Sequence, residues 1–168
     1  MGSVTDPFFR FIAPRQADMS HRPGQVLLGI QEGLRGFVGG TAFEELARAW
    51  IGKANERGIL PFDVEETGGH WSRGVQVDVV AVNWRQKAIL AAECKWGEGR
   101  VSRDVVRELV EGKTPGLLKA LPEEGKRWSV HHALFGREGF TPAARAWAAE
   151  RGIILVDLPR LDQDLAGS

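Results

Sequence analysis

Two apolar runs, rich in β-branched and small residues, fill Val75 to Trp96 (VQVDVVAVNWRQKAILAAECKW). They predict adjacent strands over 75–83 and 87–96 joined by a turn at Asn83–Gln86, a hairpin. Upstream the spacing is helical. Leu27, Ile30, Leu34, Phe37 and Val38 mark one helix that Gly39–Gly40 is expected to end. Thr41 then opens a second helix, whose stripe of Phe43, Leu46, Ala47, Trp50 and Ile51 faces a core until Gly58 stops it. Ile59–Val64 reads as a short strand, and GGHWSRG (68–74) as a turn or strand-edge loop. Downstream come a helix over 102–112 interrupted by Pro115, a strand over 127–135, a helix over 142–151 opened by Thr141-Pro142, and a buried strand over 153–158. The tail beyond Leu161 reads as short and polar.

This order predicts an α/β fold, a mixed central sheet flanked by helices. A helical extension over residues 1–38 would precede a main domain over 39–168. The first segment also holds Phe8, Phe9 and Phe11 between Pro7 and Pro14, where only a short helix fits.

Composition narrows the classes. The 168 residues suit one domain with an appended segment, and 43% hydrophobic with 26% charged residues is ordinary globular composition. Lys plus Arg (22) balances Asp plus Glu (22), which weighs against a non-specific nucleic-acid coat. The single cysteine, Cys94, forms no intramolecular disulfide, and no apolar run is long enough for a membrane span. A soluble cytoplasmic protein is expected.

The chemistry lies in the hairpin. Asp78, Glu93 and Lys95 are set in apolar strands, where an unpartnered carboxylate costs several kcal/mol or shifts its pKa. Glu93 and Lys95 share a face, and strand alternation groups Gln76 and Asp78 with Val80 and Val82. If Asp78 joins the Glu93 face, two carboxylates with open coordination suit Mg²⁺, and a lysine beside them can orient or deprotonate a water. The competing reading is a solvated strand face with an acid–lysine ion pair. Glu44 has two readings as well: a further site carboxylate, or the partner of Thr41 in a capping box at a helix start.

Asp78…Glu93-Cys94-Lys95 resembles the D…(D/E)XK signature of the PD-(D/E)XK nuclease superfamily, the restriction-endonuclease-like fold. Gly40 to Glu44 resembles the superfamily's glutamate-bearing helix, and Gly139 to Asp157 the end of Mrr-type and Holliday-junction-resolvase-type domains. More closely, Asp6 to Ile12, Gly40 to Glu44, His70-Trp71, Val77 to Val80 and Glu93 to Trp96 look like the C-terminal domain of archaeal-type DEXX-box ATPases. That resemblance implies a metal-dependent nuclease acting on DNA, with Asp78 and Glu93 holding Mg²⁺ (or Mn²⁺), Lys95 positioning the water and Glu44 assisting. It further implies DNA as partner, an ATPase module or winged-helix domain as neighbour, no membrane, and a homodimer as an open option. Two departures stand out: His70-Trp71 replaces a Trp-Trp pair, and no GxxxxGK[ST] motif is present, so the chain reads as a fragment or stand-alone copy without an ATPase. The alternative is a catalytically silent nuclease-like accessory domain that binds DNA or a partner ATPase.

Other features have plainer readings. His131 and His132 face opposite ways on a strand and cannot chelate together. Cys94 reads as a small buried apolar residue. Trp71, Trp84 and Trp96 could stack on bases, but packing is the more ordinary explanation. Arg100, Arg103, Arg107, Lys113, Lys119, Lys126 and Arg127 are candidate phosphate contacts, interspersed with acids as on a solvated face.

Overall fold

The computed structural model describes residues 23–72 and 74–166. The aromatic cluster at Phe8, Phe9 and Phe11 and the side chains of Leu27, Ile30, Leu34, Phe37, Val38, His70 and Trp71 lie outside the described residues. The chain divides into two compact units, Met1–Ala42 and Phe43–Ser168. The sheet and the helical segments from Phe43 onward that cover it belong to the second unit.

The first helix, α1 (Pro23–Glu56), is continuous. Gly39 and Gly40 do not end it, which corrects the expected break. A glycine ends a helix by taking positive φ, and the one that does so here is Gly58, at φ 65°. Gly58 N–H donates to Asn55 O and Ile59 N–H to Ala54 O, the paired bonds of a Schellman stop. Thr41 therefore lies inside a helix rather than at its start, so it forms no capping box with Glu44.

The expected strand at 59–64 is not formed. Leu60 and Phe62 are buried, but the segment's backbone is held by side-chain amides: Asn55 Oδ1 accepts from Val64 N–H and Asn83 Nδ2 donates to Asp63 O. The strand comes later, at β1 (Glu66–Ser72), in place of the expected loop. The hairpin follows as β2 (Val75–Asn83) and β3 (Ala88–Lys95), close to its predicted bounds. Asn83 Oδ1 caps the turn by accepting from Gln86 N–H.

Next come α2 (Arg103–Arg107), a π-helical segment over Glu108–Lys113, α3 (Thr114–Lys119) and a 3₁₀ turn over Pro122–Gly125. Then follow β4 (Ser129–Gly136), α4 (Pro142–Glu150) and β5 (Ile154–Asp157). Thr141 caps α4 by accepting from Ala144 N–H. The tail is not irregular: Leu158–Ala166 forms α5, which buries Leu161 and anchors by Trp50 Nε1–H donating to Asp164 Oδ2 at 2.8 Å.

The strands order β1-β2-β3-β4-β5, with β1, β2 and β3 antiparallel and β3, β4 and β5 parallel. The expected mixed sheet flanked by helices is thus observed. One face packs Phe43, Ala47, Trp50 and Ile51 of α1 against Val79, Leu90, Ala92 and Phe135. The other packs Val106, Leu109, Leu117 and Ala144 against Val77, Ile89, Ala91 and Leu134. Each buried aliphatic side chain contributes about 1.5–3 kcal/mol relative to exposure, so the two layers fix the sheet between them. Among the described residues no helix is long and apolar enough to cross a membrane.

Candidate metal centre

A β-bulge sets Asp78. Gly68 pairs with Val80 but His70 pairs with Val77, so Gly69 opposes two residues, Asp78 and Val79. Strict alternation fails there: Val77, Val80 and Val82 share one face, while Val79 and Ala81 take the other. The predicted grouping of Gln76 and Asp78 with Val80 and Val82 is accordingly broken, and Gln76 is exposed. Gly69 suits the close approach, since a Cβ there would lie 3.3 Å from Asp78 O.

The β2–β3 ladder ends at Val79↔Ala92, and the next residues in this register are Asp78 and Glu93. The strands part here, and a side chain bridges the gap. Cys94 N–H donates to Asp78 Oδ2 at 2.8 Å. Burial raises the Asp78 pKa above the usual carboxylate range, and the Glu93 charge raises it further. The Cys94 N–H, Lys95 and Lys113 pull it back down.

Glu93 is 4% exposed, at a position that packing alone would give to an apolar residue. Two ammonium groups meet it. Lys95 Nζ and Lys113 Nζ each donate to Glu93 Oε1 at 2.7 Å. Glu93 Oε2 is buried and has no partner. A buried acceptor without a partner costs about 1–3 kcal/mol or more when charged, so it marks a place where another group belongs.

In sequence Lys113 is one of several basic residues of a solvated face. It reaches the site because the helix widens by one residue per turn over Glu108–Lys113. Thr114 N–H donates to Leu109 O, five residues back, and Thr114 Oγ1 donates to the same carbonyl at 2.6 Å, just before Pro115, which has no N–H to offer. With its proton so committed, Thr114 Oγ1 accepts from His132 Nε2 at 3.0 Å, which fixes the tautomer of that ring. Pro115 after a threonine was the available signal.

Glu44 lies half-buried on α1, with Arg48 NH2 at 3.9 Å. Burial raises its pKa, Asp78 adds to the rise, Arg48 opposes it, and Glu93 adds a smaller push. Arg48 also donates to Asp78 O, the bulge carbonyl, at 3.4 Å. The structure therefore groups Asp78, Glu93 and Lys95, with Glu44 within electrostatic range and Lys113 added.

Among the described residues no three His, Cys, Asp or Glu side chains form a ready metal cage. Mg²⁺ does not need one, because it is bound through one or two carboxylates with water and substrate phosphate completing its shell. The opposed pair Asp78–Glu93, with one buried oxygen unsatisfied, fits such an ion.

The remaining candidates stand elsewhere. Burial raises the Cys94 thiol pKa far above its usual value, and the neighbouring carboxylates add to this, so it is no nucleophile. His131 packs on Phe62 with centroids 5.6 Å apart. Arg103 and Arg107 are exposed, and Arg107 pairs with Asp104 and Glu111. Trp84 meets Trp128 edge-on, and Trp96 packs on Phe43 with Arg137 over its ring.

A family model, DUF234, described as archaea bacterial proteins of unknown function, matches residues 8–109. An uncharacterised protein of Methanocaldococcus jannaschii is 35% identical over 66 residues, 39% of this chain and 15% of the relative. The matched stretch is thus under a sixth of the length of that curated relative. No solved structure matches the chain significantly.

Proposed function

The chain belongs to the DUF234 family, and from its site we propose that it is a metal-dependent nuclease domain hydrolysing DNA phosphodiester bonds. The observation that carries this reading is that Asp78 and Glu93 stand one position beyond the end of the β2–β3 ladder, with Glu93 Oε2 buried and unsatisfied. A divalent cation held by these two carboxylates would acidify a water and offset charge on the phosphate. Lys95, fixed two residues from Glu93 on β3, would hold the attacking water in place with its ammonium. Glu44, with its raised pKa, is suited to move a proton at the edge of the site. Ammonium groups beside the phosphate stabilise charge that develops in the transition state.

The likeness to the C-terminal domain of DEXX-box ATPases makes an ATPase module the natural neighbour for such a domain. Asp78→Ala and Lys95→Ala should each abolish Mg²⁺-dependent DNA cleavage while the far-ultraviolet circular dichroism spectrum stays unchanged. Cleavage surviving in either variant contradicts the metal-ligand role of Asp78 or the water-positioning role of Lys95.

One observation favours a second reading, a silent accessory domain that binds DNA or an ATPase. Glu93 is already neutralised by two lysines. Calorimetry separates the readings: no heat of binding at millimolar Mg²⁺, with and without DNA, selects the accessory role.

A further inference from the structure

Two cations on one oxygen are more than a buried carboxylate needs. Coulomb attraction to one well-placed ammonium already offsets much of the desolvation cost, and a second like charge beside the first is repelled by it. The two lysines are not equivalent. Lys95 follows Glu93 on the same strand and face, so its contact comes with the backbone. Lys113 comes from another layer, and its arrival takes dedicated construction. The π-helical turn carries it inward, and Thr114 ties that turn to Leu109 and His132. Gly116 lets α3 sit so close to β2 that a Cβ there would fall 2.2 Å from Val75 Cγ2. Gly112 leaves room for the Glu108 carboxylate, which a Cβ would strike. The π-helical turn with its Thr114 ties, and the close seating of α3 at Gly116, thus accompany the placing of one ammonium on one carboxylate.

We propose that Lys113 is a displaceable counter-ion for Glu93, occupying Oε1 in the metal-free protein and competing with a divalent cation for that carboxylate. This rests on the reading of Asp78 and Glu93 as metal ligands, and not on DNA cleavage. While Lys113 holds Glu93, the buried acid keeps its place and a counter-charge without metal, and Oε2 is left as the point of entry. A cation entering between Asp78 and Glu93 brings two positive charges against the lysine's one. It therefore drives the flexible four-carbon arm of Lys113 off Oε1 and frees its ammonium for an anion nearby, such as a phosphate.

The test is a Mg²⁺ titration of the full chain by calorimetry, without DNA, on wild type, Lys113→Met and Lys113→Arg. Lys113→Met should bind Mg²⁺ about three- to tenfold more tightly, the scale expected on removing one partly screened charge beside a divalent ion. Lys113→Arg, which keeps the charge, should bind as wild type does. The rise in melting temperature on adding Mg²⁺ should likewise be larger for Lys113→Met, a readout that a merely structural lysine would not move in this direction. Equal or weaker binding by Lys113→Met overturns the proposal. Absence of binding in all three overturns it together with the metal site. Tighter binding by Lys113→Met without any DNA cleavage supports the proposal and removes only the nuclease reading.

Discussion

At the scale of single residues, the site is built from groups whose environments contradict their chemistry. Glu93 is an acid in the core, and its cost is met by lysines on one oxygen and by nothing on the other. The hairpin acids were legible because carboxylates are rare in apolar strands. Lys113 was not, because its turn is π-helical, closed by Thr114 N–H and Oγ1 reaching back five residues to Leu109 O, which α-helical spacing hides. Glu44 is ambiguous only if Thr41 starts a helix; inside α1 that ambiguity is gone.

His132, bonded to Thr114, offers a titration of its own. Burial pushes its pKa down to about 4 from 6.5, with His131 adding to the effect. The unfolded chain then binds a proton that the folded one refuses. Stability is full above pH 6.5 and falls as pH drops toward 4, by up to ~2–3 kcal/mol. His132→Gln should flatten that slope in urea denaturation between about pH 7 and pH 4.5. An unchanged slope would remove His132 as its source.

At the scale of elements, local signals succeeded where backbone and side chain agree. The hairpin, β4, α4 and β5 follow from apolar runs bounded by turns, and the Schellman stop at Gly58 follows from one glycine. They failed where glycine serves in regular structure. Gly39–Gly40 read as a stop but continue α1, and Gly68–Gly69 read as a loop but form β1 beside the bulge. In both cases the neighbouring element, not the local preference, decides the conformation. Gly116 tests this for α3. Gly116→Val should destabilise by about 1–3 kcal/mol, the usual cost of overpacking, because the new side chain must displace Val75 or the helix. A midpoint of denaturation within error of wild type would show that α3 does not seat closely on β2.

At the scale of the whole molecule, a mixed sheet between two helical layers places one strand fork under α1 on one side and the π-helical turn on the other. Mixed sheet and flanking helices were readable from element order alone. The fork was not, because it arises from a bulge against Gly69 and a ladder that ends one residue before the acids. Net charge is zero by sequence, so on the proposed reading attraction to DNA would come from local groups rather than a global field. That agrees with a site that gathers its own charges.

The central claim is that Asp78 and Glu93 share a divalent cation. Crystals soaked in Mn²⁺ and measured for anomalous scattering test it directly. The expected result is one peak in the fork between β2 and β3, bonded to a carboxylate oxygen of each residue, Glu93 contributing Oε2, at about 2.0–2.3 Å. A map without a peak there, or with manganese only at other acids, would contradict it.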